Sequence, residues 1–406
     1  MGRGGHASRA RLQAVALGLG LATVATLGSP YPAAAVTGDA ADAQVGGLGR
    51  AAGQLLVDGA DVPATELGAS CLAGAGDDWL AGQLIISGVV QSELETAIDL
   101  SAAGSLGGVF VLGSPGESVA LTLSELRAAG VSSGGVAPFV SVDEEGGRVQ
   151  RLADLLGPLP AARSLTDGSP VDAAAEVGAH AAQVAALGFT SGLAPVVDVG
   201  AGPAIGDRSY ADDAATVVEF AGPIVEALLG AGLVPVIKHF PGHGRASADS
   251  HVSVAVTPPL DELRDVDLVP YEALVDIEGV AVMVGHLQVP GLTGDLPASL
   301  SPEAVTGLLR GELGFDGLVL SDALGMAAVS ARWSADEAAV LSLAAGIDLV
   351  LIDRIEDVEA VGSSIVAALA NGRLDRAEVT ASVSRALVAR GRSGCAVAAA
   401  LGLPPA

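Results

Sequence analysis

The stretch Val234–Gly244, VPVIKHFPGHG, decides the fold. It begins as a short, uninterrupted apolar run, Val234 to Ile237, and ends abruptly in Lys238-His239 before a Pro-Gly turn. A strand that is apolar at every position, rather than at alternate ones, is buried on both faces, as in a parallel sheet. Lys238 is the only lysine of the 406 residues, and three of the six histidines (His239, His243 and His251) fall between Ile237 and His251. Polar chemistry is therefore concentrated just past the C-terminal end of this strand.

Working outward, the same design recurs. Apolar runs occur at 83–86, 108–112, 138–142, 191–197, 234–237, 280–284, 317–320 and 348–352. Each is followed by a Gly-, Asp- or His-containing turn and then an Ala/Leu/Glu-rich stretch of helical character. Strands alternating with helices imply βαβ units, and eight of them predict an α/β fold of the (β/α)8 TIM-barrel type in a single catalytic domain over 76–390. The structural alternative is a doubly wound open sheet, but no Gly-x-Gly-x-x-Gly follows the first run. The remaining boundaries are a signal peptide over 1–35, a linker or loosely ordered arm over 36–75, and a tail over 391–406.

The first 35 residues combine Arg3, Arg9 and Arg11, an apolar run from about Leu12 to Leu27, and Ala33-Ala34-Ala35, the pattern of a secretory signal. A membrane-anchoring helix is the alternative for a run of this kind. The chain is thus expected to be exported to the extracellular or cell-wall space, with no stable membrane anchor, as a monomer. Cys71 and Cys395 are the only cysteines. In an exported protein they are expected to form a disulfide tying the N-terminal arm to the tail; two free thiols are the alternative.

Charge excludes some functions. With 47 acidic against 20 basic residues the formal net charge is -27, so the basic footprint of a nucleic-acid binder is missing. An anionic membrane surface would also repel the chain. Aromatics are only 3 % of residues, so the core must be built from Ala, Val, Leu and Ile.

The charged residues cluster where a barrel places its chemistry, at the C-terminal ends of strands. Asp143 to Arg148 follow the third run, and Asp198 and Asp207-Arg208-Ser209-Tyr210 the fourth. Lys238-His239 end the fifth, His286 follows the sixth, and Ser321-Asp322 end the seventh. His239 and His243 have a familiar metal-ligand spacing, but that spacing works on one helical face and Pro241-Gly242 would break a helix, so no metal and no cofactor are expected. A Gly-x-Ser-x-Gly elbow and a P-loop are both missing.

Carboxylate and imidazole chemistry remains. In an extended loop Asp249 and His251 point the same way, so the carboxylate can hold one ring nitrogen and free the other for proton transfer. Asp322 stands at a strand terminus, suited to be a nucleophile or base. A nucleophile with one acid/base group suffices for glycosyl transfer to water.

These residues carry a resemblance. Lys238 to Gly244 followed by Asp249-Ser250-His251 resembles the signature of the β-N-acetylglucosaminidases of glycoside hydrolase family 3. Asp143 to Arg151, Ala194 to Val199, Asp207 to Tyr210 and Ser321 to Met326 resemble further segments of that group, in the same order. The resemblance implies a retaining exo-β-N-acetylglucosaminidase. Asp322 would be the nucleophile, His251 the acid/base and Asp249 its orienting partner. Asp143, Arg151, Arg208, Lys238 and His239 would hold the sugar hydroxyls and N-acetyl group. It also implies peptidoglycan fragments (muropeptides) or related small carbohydrates as substrates. A glycoside phosphorylase of the same family and a non-catalytic sugar-binding barrel are the alternatives. Of the other polar residues, Glu145 is expected to fix loop amides, His243 to be a structural donor, His286 to stand behind the site, and His180 to be an ordinary surface or core residue. Ala323 stands where many relatives carry a second aspartate. The chain ends shortly after the eighth unit, so a single-barrel subgroup without the extra C-terminal domain is expected.

Overall fold

The computed structural model describes residues 54–57 and 60–405. The expected signal peptide, and half of the arm expected over 36–75, lie outside them. Seven strands form one sheet: β1 Ile85–Val89, β2 Gly108–Val111, β3 Phe139–Val142, β4 Val236–Phe240, β5 Ala281–Val284, β6 Leu318–Ala323 and β7 Leu349–Ile352. Their order is β3-β2-β1-β7-β6-β5-β4, and every neighbouring pair is parallel. The last strand therefore lies beside the first, and the sheet curls. All residues of β1 to β5 and of β7 are buried, which is why they show no alternation.

The fourth run does not form a regular strand, which corrects the expectation of eight. Residues 190–197 bond to both free edges of the sheet instead. Thr190 N–H donates to Val140 O at 2.7 Å and Glu144 N–H to Gly192 O at 3.0 Å on one side. On the other, Val236 N–H donates to Ala194 O at 2.8 Å and Val197 N–H to Lys238 O at 2.9 Å. Pro195 has no N–H to give to a ladder. Leu193 has φ 43°, outside the extended region. The pairing is reduced to single bridges, Ser141 with Ser191 and Val196 with Lys238.

Helices cover the outside. Pro170–Ala186 starts with Ser169 Oγ accepting Asp172 N–H and proline at the first turn, and Ala214–Gly230 starts with Asp213 accepting Thr216 N–H. The first buries Ala173, Val177, His180, Ala181 and Val184, a 3–4 residue spacing.

At the opposite end of the sheet from the strands' C-termini, Asp348 precedes β7 with no side-chain exposure. It accepts from Arg310 Nη2 at 2.7 Å, Arg385 Nε at 2.9 Å and Val319 N–H at 2.9 Å. Burial alone would raise its pKa, but the two arginines outweigh it and hold the carboxyl below its ordinary value. Removing one member of a buried charge cluster strands the others, so Asp348→Ala is expected to cost about 3–5 kcal/mol. Urea unfolding checks this; a midpoint within error of the parent would show the cluster to be unimportant.

Both ends of the described chain carry helical segments. Ala64–Cys71 and Gly394–Ala400 are helices, and Cys71 and Cys395 form the disulfide that joins them. The helices approach closely at Gly68, where a Cβ would lie 2.3 Å from Ser384 Oγ and 3.2 Å from Gly394 N. No helix among the described residues is long and apolar enough to cross a membrane.

Candidate active site

The sheet gathers its charged groups at one mouth. A bulge in β4 helps: Ile237 pairs with Val282 and Phe240 with Val284, so Lys238 and His239 together oppose Met283. Both side chains are buried, Lys238 to 2 % exposure. Lys238 Nζ lies 2.6 Å from Glu145 Oε1 and 3.3 Å from Asp143 Oδ1. Glu145 also receives Arg208 Nε at 2.7 Å and Nη2 at 2.8 Å, a bidentate pair. Burial would raise the Glu145 pKa, but Lys238 and Arg208 hold it far below the carboxylate range. Arg151 Nη2 reaches Asp143 Oδ2 at 3.8 Å.

Glu145 thus pairs buried cations rather than loop amides. The amide-binding role belongs to its neighbour: Glu144 Oε2 accepts from Arg151 N–H at 3.0 Å and Leu152 N–H at 2.9 Å. Glu144 Oε1 meets His180 Nε2 at 2.7 Å and Gln150 Nε2 at 2.9 Å. His180, expected to be ordinary, fixes that loop from behind. Arg148 braces Asp207 at 2.8 Å and the Ile205 carbonyl at 2.7 Å.

Asp198 is the organising group that the sequence did not single out. Fully buried, its Oδ2 meets His239 Nδ1 at 2.7 Å, and its Oδ1 accepts the backbone N–H of both His239 and His243. Burial opposes its ionisation, but His239 and His243 outweigh that and lower its pKa. With Nδ1–H given to Asp198, His239 Nε2 is free to accept from Arg208 Nη2 at 3.2 Å. The available signal was position: Asp198 follows an apolar run.

Asp322, at the end of β6, takes Ala323 N–H at 2.8 Å on Oδ1. Burial pushes its pKa up, yet His239, His286, that N–H and Lys238 together leave it lowered, so it is held ionised. His286 Nδ1 meets Ser299 Oγ at 2.7 Å, and Nε2–H donates to Ala323 O at 2.8 Å. The ring thereby fixes the backbone next to Asp322, and burial depresses its pKa.

Asp249 and His251 lie on the loop after β4. His251 Nδ1 is 2.7 Å from Asp249 Oδ1, which also takes the His251 N–H at 2.9 Å. The imidazole is 62 % exposed, with Nε2 directed away from its carboxylate partner. The loop is held from beneath: His243 Nε2 meets the buried Ser250 Oγ at 3.0 Å, and Arg245 grips Asp267 Oδ2 through Nε at 3.0 Å and Nη2 at 2.6 Å. It is also joined to the Asp322 side, because Ala327 N–H donates to His251 O at 3.4 Å and Ala328 N–H to Ser250 O at 3.2 Å. Among the described residues no three His, Cys, Asp or Glu side chains group so as to hold a metal ion.

An ionised strand-end carboxylate and a carboxylate-steadied imidazole offer a nucleophile and a proton-transfer group. Residues 81–389 match the profile described as "Glycosyl hydrolase family 3 N terminal domain", and the chain belongs to glycosyl hydrolase family 3. It is 48 % identical over 277 residues to "Beta-hexosaminidase LpqI" of Mycobacterium tuberculosis, covering 65 % of this chain and 71 % of that one. The solved structure "M tuberculosis LpqI" superposes with TM-score 0.75 at 42 % identity, over 80 % of this chain and 96 % of that one. A "Beta-N-acetylhexosaminidase from Beutenbergia cavernae" superposes with TM-score 0.72 at 30 % identity, over 79 % and 100 %.

Proposed function

We propose that the protein is an exported, retaining exo-β-N-acetylglucosaminidase that removes non-reducing GlcNAc from peptidoglycan fragments. The observation that carries this reading is the joining of the Asp249–His251 loop, by two backbone hydrogen bonds, to the segment that follows Asp322. That joint supports a shared mouth for acid/base and nucleophile. The β-hexosaminidase names of its relatives support the sugar, and residues 190–197, bonded to both sheet edges, support a closed barrel in which an irregular segment takes the place of the eighth strand.

In the first step an Asp322 oxygen bonds to the anomeric carbon. The bond to the leaving oxygen breaks, and His251 Nε2 gives that oxygen its proton. In the second, neutral His251 takes a proton from water. The water oxygen bonds to the same carbon, and the Asp322 ester bond breaks. Asp249 steadies the imidazolium before the first step and as it re-forms in the second. Lys238 has one ammonium proton beyond its contacts with Glu145 and Asp143, and with Asp143, Arg151, Arg208 and His239 it supplies the groups that bind the ring hydroxyls and N-acetyl group.

The test is turnover of a p-nitrophenyl β-GlcNAc glycoside with and without phosphate, with the first product's anomer read by NMR. Free β-GlcNAc in both conditions is expected. An initial α-product would overturn the retaining mechanism, and GlcNAc phosphate as the main product would make the protein a phosphorylase. N-terminal sequencing of the exported protein should start near residue 36.

A further inference from the structure

The leaving group must lie against His251, so the wall beside that residue selects what is released. A shallow cleft lies close to the dyad loop. Its lining includes Val254, three residues past His251, and His286 and Ala328, which are bonded to the Asp322 strand and the dyad loop respectively. Arg332 completes it, just beyond the short helix Ala327–Ser330.

Arg332 is unlike most arginines of this acidic chain. Arg245, Arg264 and Arg373, for example, each pair with a carboxylate. Exposed Arg332 forms no ion pair among the described residues. Its guanidinium is positioned nonetheless: Nη1 donates to the Asp295 backbone carbonyl at 2.7 Å, and the group stacks 4.3 Å over the Trp333 ring. Asp295 lines the same cleft, but its carboxylate forms no ion pair with Arg332. A held cation whose remaining N–H groups lack an internal acceptor is prepared for an external one, and a planar guanidinium fits a carboxylate bidentately.

We propose that the wall at this cleft borders the leaving-group subsite and that Arg332 recognises a carboxylate on the aglycone. The inference rests on His251 being the acid/base. The carboxylate has two chemical sources in a peptidoglycan fragment: the lactyl group of an unsubstituted MurNAc, or the C-terminus of a short peptide amidated onto it.

The experiment compares kcat/KM for wild type, Arg332→Gln and Arg332→Lys on four substrates. These are GlcNAc–MurNAc, the same disaccharide bearing a dipeptide, its neutral methylamide, and chitobiose. A p-nitrophenyl β-GlcNAc glycoside serves as reference. Arg332→Gln is expected to lose about tenfold on one or both carboxylate substrates, the scale of a charged hydrogen bond at a wet site. The methylamide, chitobiose and the reference glycoside should be unchanged, Arg332→Lys should retain part of the preference, and the loss should shrink at high salt. A loss confined to GlcNAc–MurNAc assigns the lactyl carboxylate; one confined to the dipeptide substrate assigns the peptide carboxylate. Equal losses on all substrates, or none on either carboxylate, would overturn the subsite. A wild type that leaves the reference glycoside uncleaved would instead overturn the glycosidase reading and the subsite with it.

Discussion

Asp322→Asn is expected to lower kcat by about 10⁵-fold, on the scale seen when other enzymes lose a covalent nucleophile. The carboxylate is the only group at the end of β6 able to form the ester, and His286 fixes its neighbouring carbonyl rather than offering a substitute. A 2-acetamido-2-deoxy-5-fluoro glycosyl fluoride should trap the ester on the wild type, and peptide mapping should find the added mass on Asp322. Label on another carboxylate would reassign the nucleophile. The lowered pKa sets the sign of the pH dependence: Asp322 is ionised above the ordinary carboxylate range, and its contribution to activity fades only as pH falls through that lowered value. The same sign applies to stability. Asp198, Asp322 and Asp348 all have depressed pKa values, so the stability they contribute is complete above their unfolded values near 4 and is lost as acid drives pH through the folded ones.

Replacing His251 with alanine is expected to slow hydrolysis of natural glycosides by about 10²- to 10⁴-fold, the usual worth of a positioned acid/base. The loss should be uneven. A dinitrophenyl leaving group needs little protonation, so glycosylation should recover while water attack remains slow. A burst of released phenol followed by a slow steady state is the expected signature in stopped flow. Equal slowing of both phases with the dinitrophenyl substrate would show that His251 has no separate role in the first step. Asp249→Asn should reproduce a milder form, because it leaves the ring in place but removes the charge that steadies its protonated state.

Much of this architecture was legible in the residues. Strands buried on both faces announce themselves as unbroken apolar runs, and β2, β3, β5 and β7 lie where such runs occur. The run at 191–197 misled for a definite reason: it is apolar enough for a strand, but Pro195 and the φ of Leu193 interrupt the ladder that apolarity alone implies. Glu144 and Glu145 show another limit. Neighbours on an extended segment face opposite sides, and sequence does not say which side holds Lys238. Asp198 was visible as a strand-end aspartate, but its grip on the backbone amides of His239 and His243 depends on how β4 approaches residue 198. The helix at Ala64–Cys71 has too many small residues to show a period; its place is set by contacts with residues more than 300 positions away.

The Cys71–Cys395 bond has a consequence for how the molecule breaks. Every residue of the mouth, from Asp143 to Asp322, falls inside the covalent ring that it closes. A protease that nicks an exposed connection anywhere within that ring yields two peptides still fastened to each other. The cut product should migrate as one species on a non-reducing gel and separate only when a thiol is added, so a single scission need not disperse the halves of the catalytic centre.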